Sequence, residues 1–356
     1  MEQQSKKSDF YTQSGKLTQS WYAIAQSKQI GQSKPFSAIV FGIPLVVWRD
    51  ENGNPQALLD RCNHRQAPLS DGRIEKHCVV CPYHGWIYDG SGACKSIPSE
   101  GPHVERIPPK KVEQFPSVEK YGLVWVWMGR AVPPNGEPFP MPMKTSAGWH
   151  SYYMETDFEN DVTNLVENFM DVPHTVFVHK GWFRDPKQMR IAAVVERTEN
   201  SVLVSYNQPK DAISFSSKLL NPKGLPMVHT DHFYMPNTTR VDYVFGDFER
   251  AFIITSTCTP IDESHTKVFT LIGYRFGWLN PLAALFLPAY TRKVITQDVD
   301  IMALQRKNLN RFEPVPFQST QADTMHIYIE SLRNYAMNSE NFPKPAPIKK
   351  EIEFWV

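Results

Sequence analysis

Two Cys–His pairs stand close together early in the chain. Cys62-x-His64 is followed, sixteen residues later, by Cys81-x-x-His84. Each arm offers one thiolate and one imidazole. Each sits in turn-rich text, RCNHRQAPLSDG and VVCPYHGWIYDGSG, between strand-like runs. Soft donors paired at such short spacings make a metal site. A second set follows in DVPHTVFVH, where His174 and His179 lie five residues apart. Two imidazoles so close can chelate one ion, but they leave a weak site unless a carboxylate joins them.

The donor order narrows the metal at the first site. Zinc accepts two Cys and two His, but zinc fingers and ribbons usually pair Cys with Cys and His with His. Mixed arms suit a [2Fe–2S] centre of the Rieske kind, in which one iron takes two Cys and the other two His. The expected ligands are Cys62, His64, Cys81 and His84. Gly72, Pro82, Gly85 and Gly92 flank them as loop residues able to close backbone over a cluster. Cys78, Cys94 and Cys258 fall outside the pattern and read as small packing residues.

At the second site the open question is the carboxylate. A facial triad for non-heme Fe(II) joins two His to one carboxylate and leaves other positions open. VITQDVDIMALQ offers Asp298 and Asp300. On a helix Asp298 has Val294, Ile295, Ile301 and Met302 at i−4, i−3, i+3 and i+4, whereas Asp300 has Thr296, Gln297, Ala303 and Leu304. A carboxylate on an apolar face must be paired or metal-bound, because burying it alone is costly. That favours Asp298. Asp171 lies three residues before His174, too close for a comfortable third facial ligand. The role expected of it is to accept a hydrogen bond from a ligand imidazole.

The elements that must hold these residues can be read coarsely. Residues 20–130 are β-rich, with runs at Phe36–Trp48 and Tyr121–Met128. AVPPNGEPFPMPM follows, with five prolines in ten residues, which neither a helix nor a central strand accepts. The boundary is therefore placed there, giving domains 20–130 and 131–345. Strands are expected at 150–156, 190–196, 201–206, 228–235, 240–246, 251–259 and 266–276. Helices are expected at 157–171, 289–309 and 320–337, the first opened by a Thr156/Glu159 capping box. On it, Asn160, Asn164, Glu167 and Asp171 form a polar row opposite an apolar one. Strands in series with helices set apart indicate α+β.

With the motifs placed, CNHRQAPLSDG…CPYHGWIYDGSGAC resembles the Rieske domain of the Rieske non-heme iron oxygenases. ENFMDVPHTVFVH and QDVDIMALQ resemble their iron segment and carboxylate helix. The length resembles their group of vanillate O-demethylase, dicamba demethylase and pheophorbide a oxygenase. The resemblance implies an all-β Rieske [2Fe–2S] domain, then a helix-grip catalytic domain whose curved antiparallel sheet clasps a long helix. It also implies mononuclear Fe(II), a separate ferredoxin or NAD(P)H-dependent reductase, and a small apolar substrate oxidised with O2. In that family a carboxylate at the position of Asp171 bridges the iron His of one subunit to a Rieske His of its neighbour in a head-to-tail homotrimer. The expected activity is that of a terminal oxygenase, hydroxylating or oxidatively dealkylating an apolar ring compound. The alternatives are a desaturase or oxidative cyclase on the same scaffold, a Rieske electron-transfer protein lacking the second site, and a zinc-stabilised binding protein.

Composition excludes other classes. Lys plus Arg is 38 against 37 for Asp plus Glu, so nucleic acid or an anionic membrane has no electrostatic claim. No GxGxxG or phosphate-binding loop is present. The polar N-terminus and the interrupted apolar stretch Gly277–Tyr290 give no integral membrane segment, and five cysteines suit a cytosolic chain with metal-binding thiolates. Gly277–Tyr290 is expected to be a buried connection into the carboxylate helix, with a substrate entrance or membrane contact as the other readings. Phe215, His232, Phe233, Tyr243 and Phe252 are the expected pocket aromatics.

Overall fold

The computed structural model describes residues 8–101, 109, 111–130, 136–182, 189–207, 224–246 and 250–356. The chain divides into two compact units, Met1–Pro140 and Met141–Val356. Among the described residues the first unit has three antiparallel sheets and only short helical segments. Two-residue turns set its registers. Phe41–Gly42, Lys76–His77 and Tyr121–Gly122 join paired strands, and all six residues have positive φ. That geometry matches the right-handed twist of the flanking strands. The sheet of Arg73–Glu75, Cys78–Val80, Ile87–Tyr88 and Cys94–Ser96 carries the second Cys–His arm. The first arm follows the strand Pro55–Leu59. Val46, Trp48, Leu58, Leu69 and Tyr88 bury themselves behind the two arms.

The second unit is an eight-stranded antiparallel sheet among the described residues. Its spatial order is His150–Phe158, Thr266–Arg275, Arg250–Pro260, Thr238–Phe245, Met227–Tyr234, Ser201–Tyr206, Arg190–Arg197 and Ile348–Trp355. Along Met227–Tyr234, buried and partly exposed residues alternate, as a strand with one face in the core requires. One face packs on the helices Val162–Met170, Asn280–Leu309 and Thr324–Met337, through Val195, Val204 and Phe233 against Leu165, Val166, Met302 and Ile329. This is the helix-grip arrangement.

The long helix Asn280–Leu309 buries Ala283, Leu287, Thr291, Asp298 and Met302. These fall on one stripe at steps of four and seven, so the sheet grips a single face. Asp298 is the one acid in that stripe, and Asp300 is exposed. The start of the helix departs from expectation. Trp278 and Leu285 are 82% and 81% exposed, while Ala283 and Leu287 face inward. Gly277–Tyr290 is therefore an amphipathic entry to the helix and not a buried connection.

The helix before the His pair also starts later than the capping box suggests. The strand runs through Phe158, and Thr156 is buried in it opposite Val268. Asp161 caps instead, its carboxylate accepting from the Asn164 N–H at 3.1 Å. Sheet pairing overrode a local signal. The polar row is not wet either: Asn160, Asn164 and Asn168 are all buried and hydrogen-bonded.

Glu167, on the same helix, is largely buried. Burial first, then Glu330 and Asp161, lifts its pKa to about 8 against the pull of Arg333. The unfolded chain releases this proton near 4.5, whereas the folded chain holds it to about 8. Folding thus binds a proton in that window, and its contribution to stability falls as pH rises through it. Glu167→Gln should raise Tm at pH 8.5 by at least about 2 °C and leave it nearly unchanged at pH 4.5. Calorimetry at both pH values checks this; an equal shift at both would exclude titration as the cause.

Candidate metal centres

The two Cys–His arms fold as near copies of one loop. The Cys62 N–H donates to the Ala67 carbonyl at 2.9 Å, and the Gln66 N–H donates back to the Cys62 carbonyl at 2.9 Å. In the second arm the Cys81 N–H donates to Trp86 at 2.9 Å, and the Gly85 N–H to Cys81 at 3.1 Å. Gln66 and Gly85 close the loops with φ of 63° and 72°. Gly72 allows close approach of backbone, since a Cβ there would lie 2.0 Å from the Val80 carbonyl oxygen.

Stacking the loops sorts the donors into two poles. Cys62 lies close enough to Cys81 to add to burial in raising its thiol pKa. The His64 and His84 rings lie 4.6 Å apart. Sulfur gathers with sulfur and nitrogen with nitrogen, the division that a two-iron Rieske cluster needs. His64 Nδ1 is buried without a hydrogen-bond partner, a costly state that a metal bond relieves. Burial pushes the Cys81 thiol up, while the N–H groups of Tyr83 and His84 pull it down by favouring the thiolate. The Tyr88 hydroxyl lies 3.2 Å from Cys62 Sγ, and Trp86 stacks on His64 at 4.8 Å. The residues fit the cluster.

In the second unit His174, His179 and Asp298 converge. Among the described residues they are the group whose ligand atoms all lie within 4.8 Å of one another. The two Nε2 atoms are 3.3 Å apart, and Asp298 Oδ1 lies 3.5 Å from His174 Nε2 and 3.2 Å from His179 Nε2. Three donors placed at right angles about 2.1 Å from one ion would be about 3.0 Å apart, so the triangle is nearly the right size. Short sequence spacing delivers the two imidazoles: His174 and His179 flank the single-turn helix Thr175–Val178.

Other side chains fix the directions. The His174 backbone N–H donates to Asp171 Oδ2 at 3.2 Å, and the same oxygen lies 3.4 Å from His174 Nδ1. Burial would lower the pKa of His174, but Asp171 and Asp298 outweigh it and raise it to about 9. Burial likewise works against the Asp298 carboxylate, yet His174 and His179 bring its pKa down to about 2. This is a concentrated negative site that calls for a cation. His179 Nδ1 pairs with Gln297 Oε1 at 3.0 Å, and Asn168 Nδ2 donates to Asp298 Oδ1 at 3.2 Å. The sequence reading missed both Asn168 and Gln297. Asn160, Asn164 and Asn168 recur every four residues, which was the available signal for the first.

A cavity of about 120 Å3 adjoins this triad, with Val241, Tyr243, Phe252, Ile254 and Tyr290 on its walls. Of the expected aromatics, Tyr243 and Phe252 line it. Phe233 is buried in the neighbouring core, and Phe215 lies outside the described residues. His232 points to the opposite face, stacked on Tyr234. Adjacent strand residues cannot share a face, so His232 and Phe233 were incompatible choices.

Fold and donor sets together fit a chain with two metal centres. The family models agree: residues 20–117 match the Rieske [2Fe-2S] domain, and residues 158–335, half of the chain, match the vanillate O-demethylase oxygenase C-terminal domain. Aminopyrrolnitrin oxygenase of Pseudomonas fluorescens is 33% identical over 178 residues, 48% of either chain. The 4beta-methylsterol monooxygenase of Methylococcus capsulatus is 26% identical over 77% of this chain and 73% of its own. In three dimensions the crystal structure of dicamba monooxygenase bound to dicamba matches with a TM-score of 0.76 at 20% identity, covering 91% of this chain and 98% of that one, a likeness of fold. The chain spans about half the length of several of the curated relatives it matches. It belongs to the Rieske oxygenases of the vanillate O-demethylase type. The cofactors of that family are a Rieske [2Fe–2S] cluster and mononuclear iron, and both donor sets here fit them. Among the described residues no helix is long and apolar enough to cross a membrane.

Proposed function

We propose that this chain is the terminal oxygenase of a system with a separate ferredoxin or reductase, and that it hydroxylates or oxidatively dealkylates an apolar ring compound. The observation that carries this reading is the convergence of His174, His179 and Asp298 beside an apolar cavity, on a chain that also bears a Rieske domain. Bound to the two donor sets, the cluster and the iron supply one-electron transfer and O2 activation. Cys62 and Cys81 hold the sulfur pole, and His64 and His84 the nitrogen pole. Gln297 and Asn168 orient the second ligand set, and the apolar wall excludes water from it. A Rieske electron-transfer protein has no use for the second triad.

Asp171 is assigned a positioning role. It is tied to His174 yet partly exposed, so it can reach a second partner. By analogy with the family, that partner is a Rieske His of the neighbouring subunit in a head-to-tail homotrimer, a closed heterologous ring. None of the five cysteines is in a disulfide, which suits a reducing compartment, and the cytosol is the proposed location.

The test is a reductive titration of the purified protein. It should be red-brown, with about two irons and two acid-labile sulfides per chain at the first site, a Rieske-type paramagnetic signal when reduced, and a third iron at the second. With a reductase it should consume O2 and form product. A colourless protein with stoichiometric zinc would sink the proposal.

A further inference from the structure

The wall of the cavity formed by the sheet contains one residue that its neighbours do not explain. Strand register aligns Asp231, Val241, Ile254 and Ile272 side by side across four strands. Three are aliphatic, and all four line the cavity. Asp231 is 2% exposed. Sheet packing alone would be better served by another Val or Ile, because a buried carboxylate costs desolvation free energy that an alkyl group does not.

The structure keeps this carboxylate in place with some care. Its Oδ1 is 3.0 Å from His229 Nε2, and its Oδ2 accepts from the Tyr206 hydroxyl at 2.8 Å. His229 is itself clamped between two rings, Tyr206 at 4.3 Å and Tyr243 at 4.5 Å. Each carboxylate oxygen can accept two hydrogen bonds, so with His229 on one and Tyr206 on the other, acceptor capacity is left beside the cavity. The aromatic and aliphatic walls around it suit a flat ring. At about 120 Å3 the cavity is somewhat smaller than the roughly 150 Å3 apolar cavity that holds benzene, which limits an occupant to a single ring.

We propose that Asp231 anchors the substrate, accepting a hydrogen bond from a hydroxyl or amine N–H carried by a single-ring, otherwise apolar molecule. An anionic substrate is disfavoured, because its charge would face Asp231 in an apolar chamber. This assignment rests on reading the cavity as the substrate chamber of the proposed oxygenase. His229 and Tyr206 are positioning residues that hold Asp231.

Calorimetric binding to the anaerobic holoenzyme, without reductant, tests it with three probes of one shape: 4-methylphenol, p-xylene and 4-methylbenzoate. 4-Methylphenol should bind at least about tenfold more tightly than p-xylene, the scale of one hydrogen bond to a charged acceptor. 4-Methylbenzoate should bind most weakly. Asp231→Leu should erase the difference between 4-methylphenol and p-xylene, and the isosteric Asp231→Asn should shrink it and improve 4-methylbenzoate. Equal affinities in the natural protein, a preference for 4-methylbenzoate, a contrast that survives Asp231→Leu, or no binding of any probe at millimolar concentration would each overturn the proposal. The natural-protein panel decides even if Asp231→Leu fails to fold. Metal content and cluster spectrum, measured on the same samples, report separately on the oxygenase reading: their absence would refute that reading and leave the binding contrast to be judged alone.

Discussion

Alanine at His174 is expected to strip the mononuclear iron from the protein while leaving the cluster's visible spectrum intact. The two donor sets lie far apart in sequence and in different compact units, so loss of one ligand should not spread to the other set. Turnover should fall to background, because two remaining donors cannot hold a facial site against solvent. Asp298→Ala should behave alike. It would also leave His174 and His179 without the carboxylate 3.2–3.5 Å from both. Asp300→Ala, at an exposed position of the same helix, should be mild. Asn168→Ala and Gln297→Ala should fall between, weakening iron by about 10- to 100-fold, as loss of a partner that orients a ligand does. Iron analysis beside the visible spectrum separates these cases. If Asp300→Ala, and not Asp298→Ala, abolished iron binding, the helix-face assignment would be wrong.

The second large effect concerns how electrons reach the iron. Subunits carrying Cys81→Ser have no intact cluster, and subunits carrying His174→Ala have no iron triad. Neither should turn over alone. Co-expressed in the proposed trimer they should recover a fraction of the natural activity, because the cluster of one chain would serve the iron of its neighbour. Asp171→Asn should keep both metals and slow the transfer severely, since its carboxylate is the group held at His174. Rapid mixing of reduced protein with O2 reads that rate. Mixed trimers with the surviving sites loaded but no activity would count against transfer between subunits, and a fully active monomer would refute it.

Much of this was legible because it was local. Cys62-x-His64 and Cys81-x-x-His84 are loop motifs whose spacing survives any packing, and His174 and His179 flank one turn of helix. Asp298 was legible at a distance only because a helix face can be drawn from sequence. The positions of seven of the eight strands also read well, from period-two alternation at Met227–Tyr234 and from continuous apolar runs at Arg250–Pro260 and Thr266–Arg275, but the eighth, Ile348–Trp355, was not expected. What stayed hidden depended on tertiary partners. Thr156 carries a good helix-start signal, but it pairs in register with Val268 and stays in the sheet. Asp231 looks like any polar strand residue until cross-strand register sets it among Val241, Ile254 and Ile272. The dry setting of Asn160, just before the helix Val162–Met170, and of Asn164 and Asn168 on it was likewise invisible, because the apolar stripe beside them suggested a solvated back.

Those asparagines have a consequence for how variants of this chain should be interpreted. Asn160 donates to the Met302 carbonyl at 3.0 Å and to Gln305 at 2.9 Å and accepts from Asn164, while Asn168, one turn further along, donates separately to Asp298. Asn160 and Asn168 thus pin the long helix at two points four residues apart along it, Met302 and Asp298. A slip of one turn along the long helix moves any residue on it by about 5.4 Å, enough to carry a carboxylate out of reach of both imidazoles. A substitution at Asn160, remote in sequence from every ligand, would therefore surface in a genetic screen as an iron-affinity allele and not as a simple folding defect.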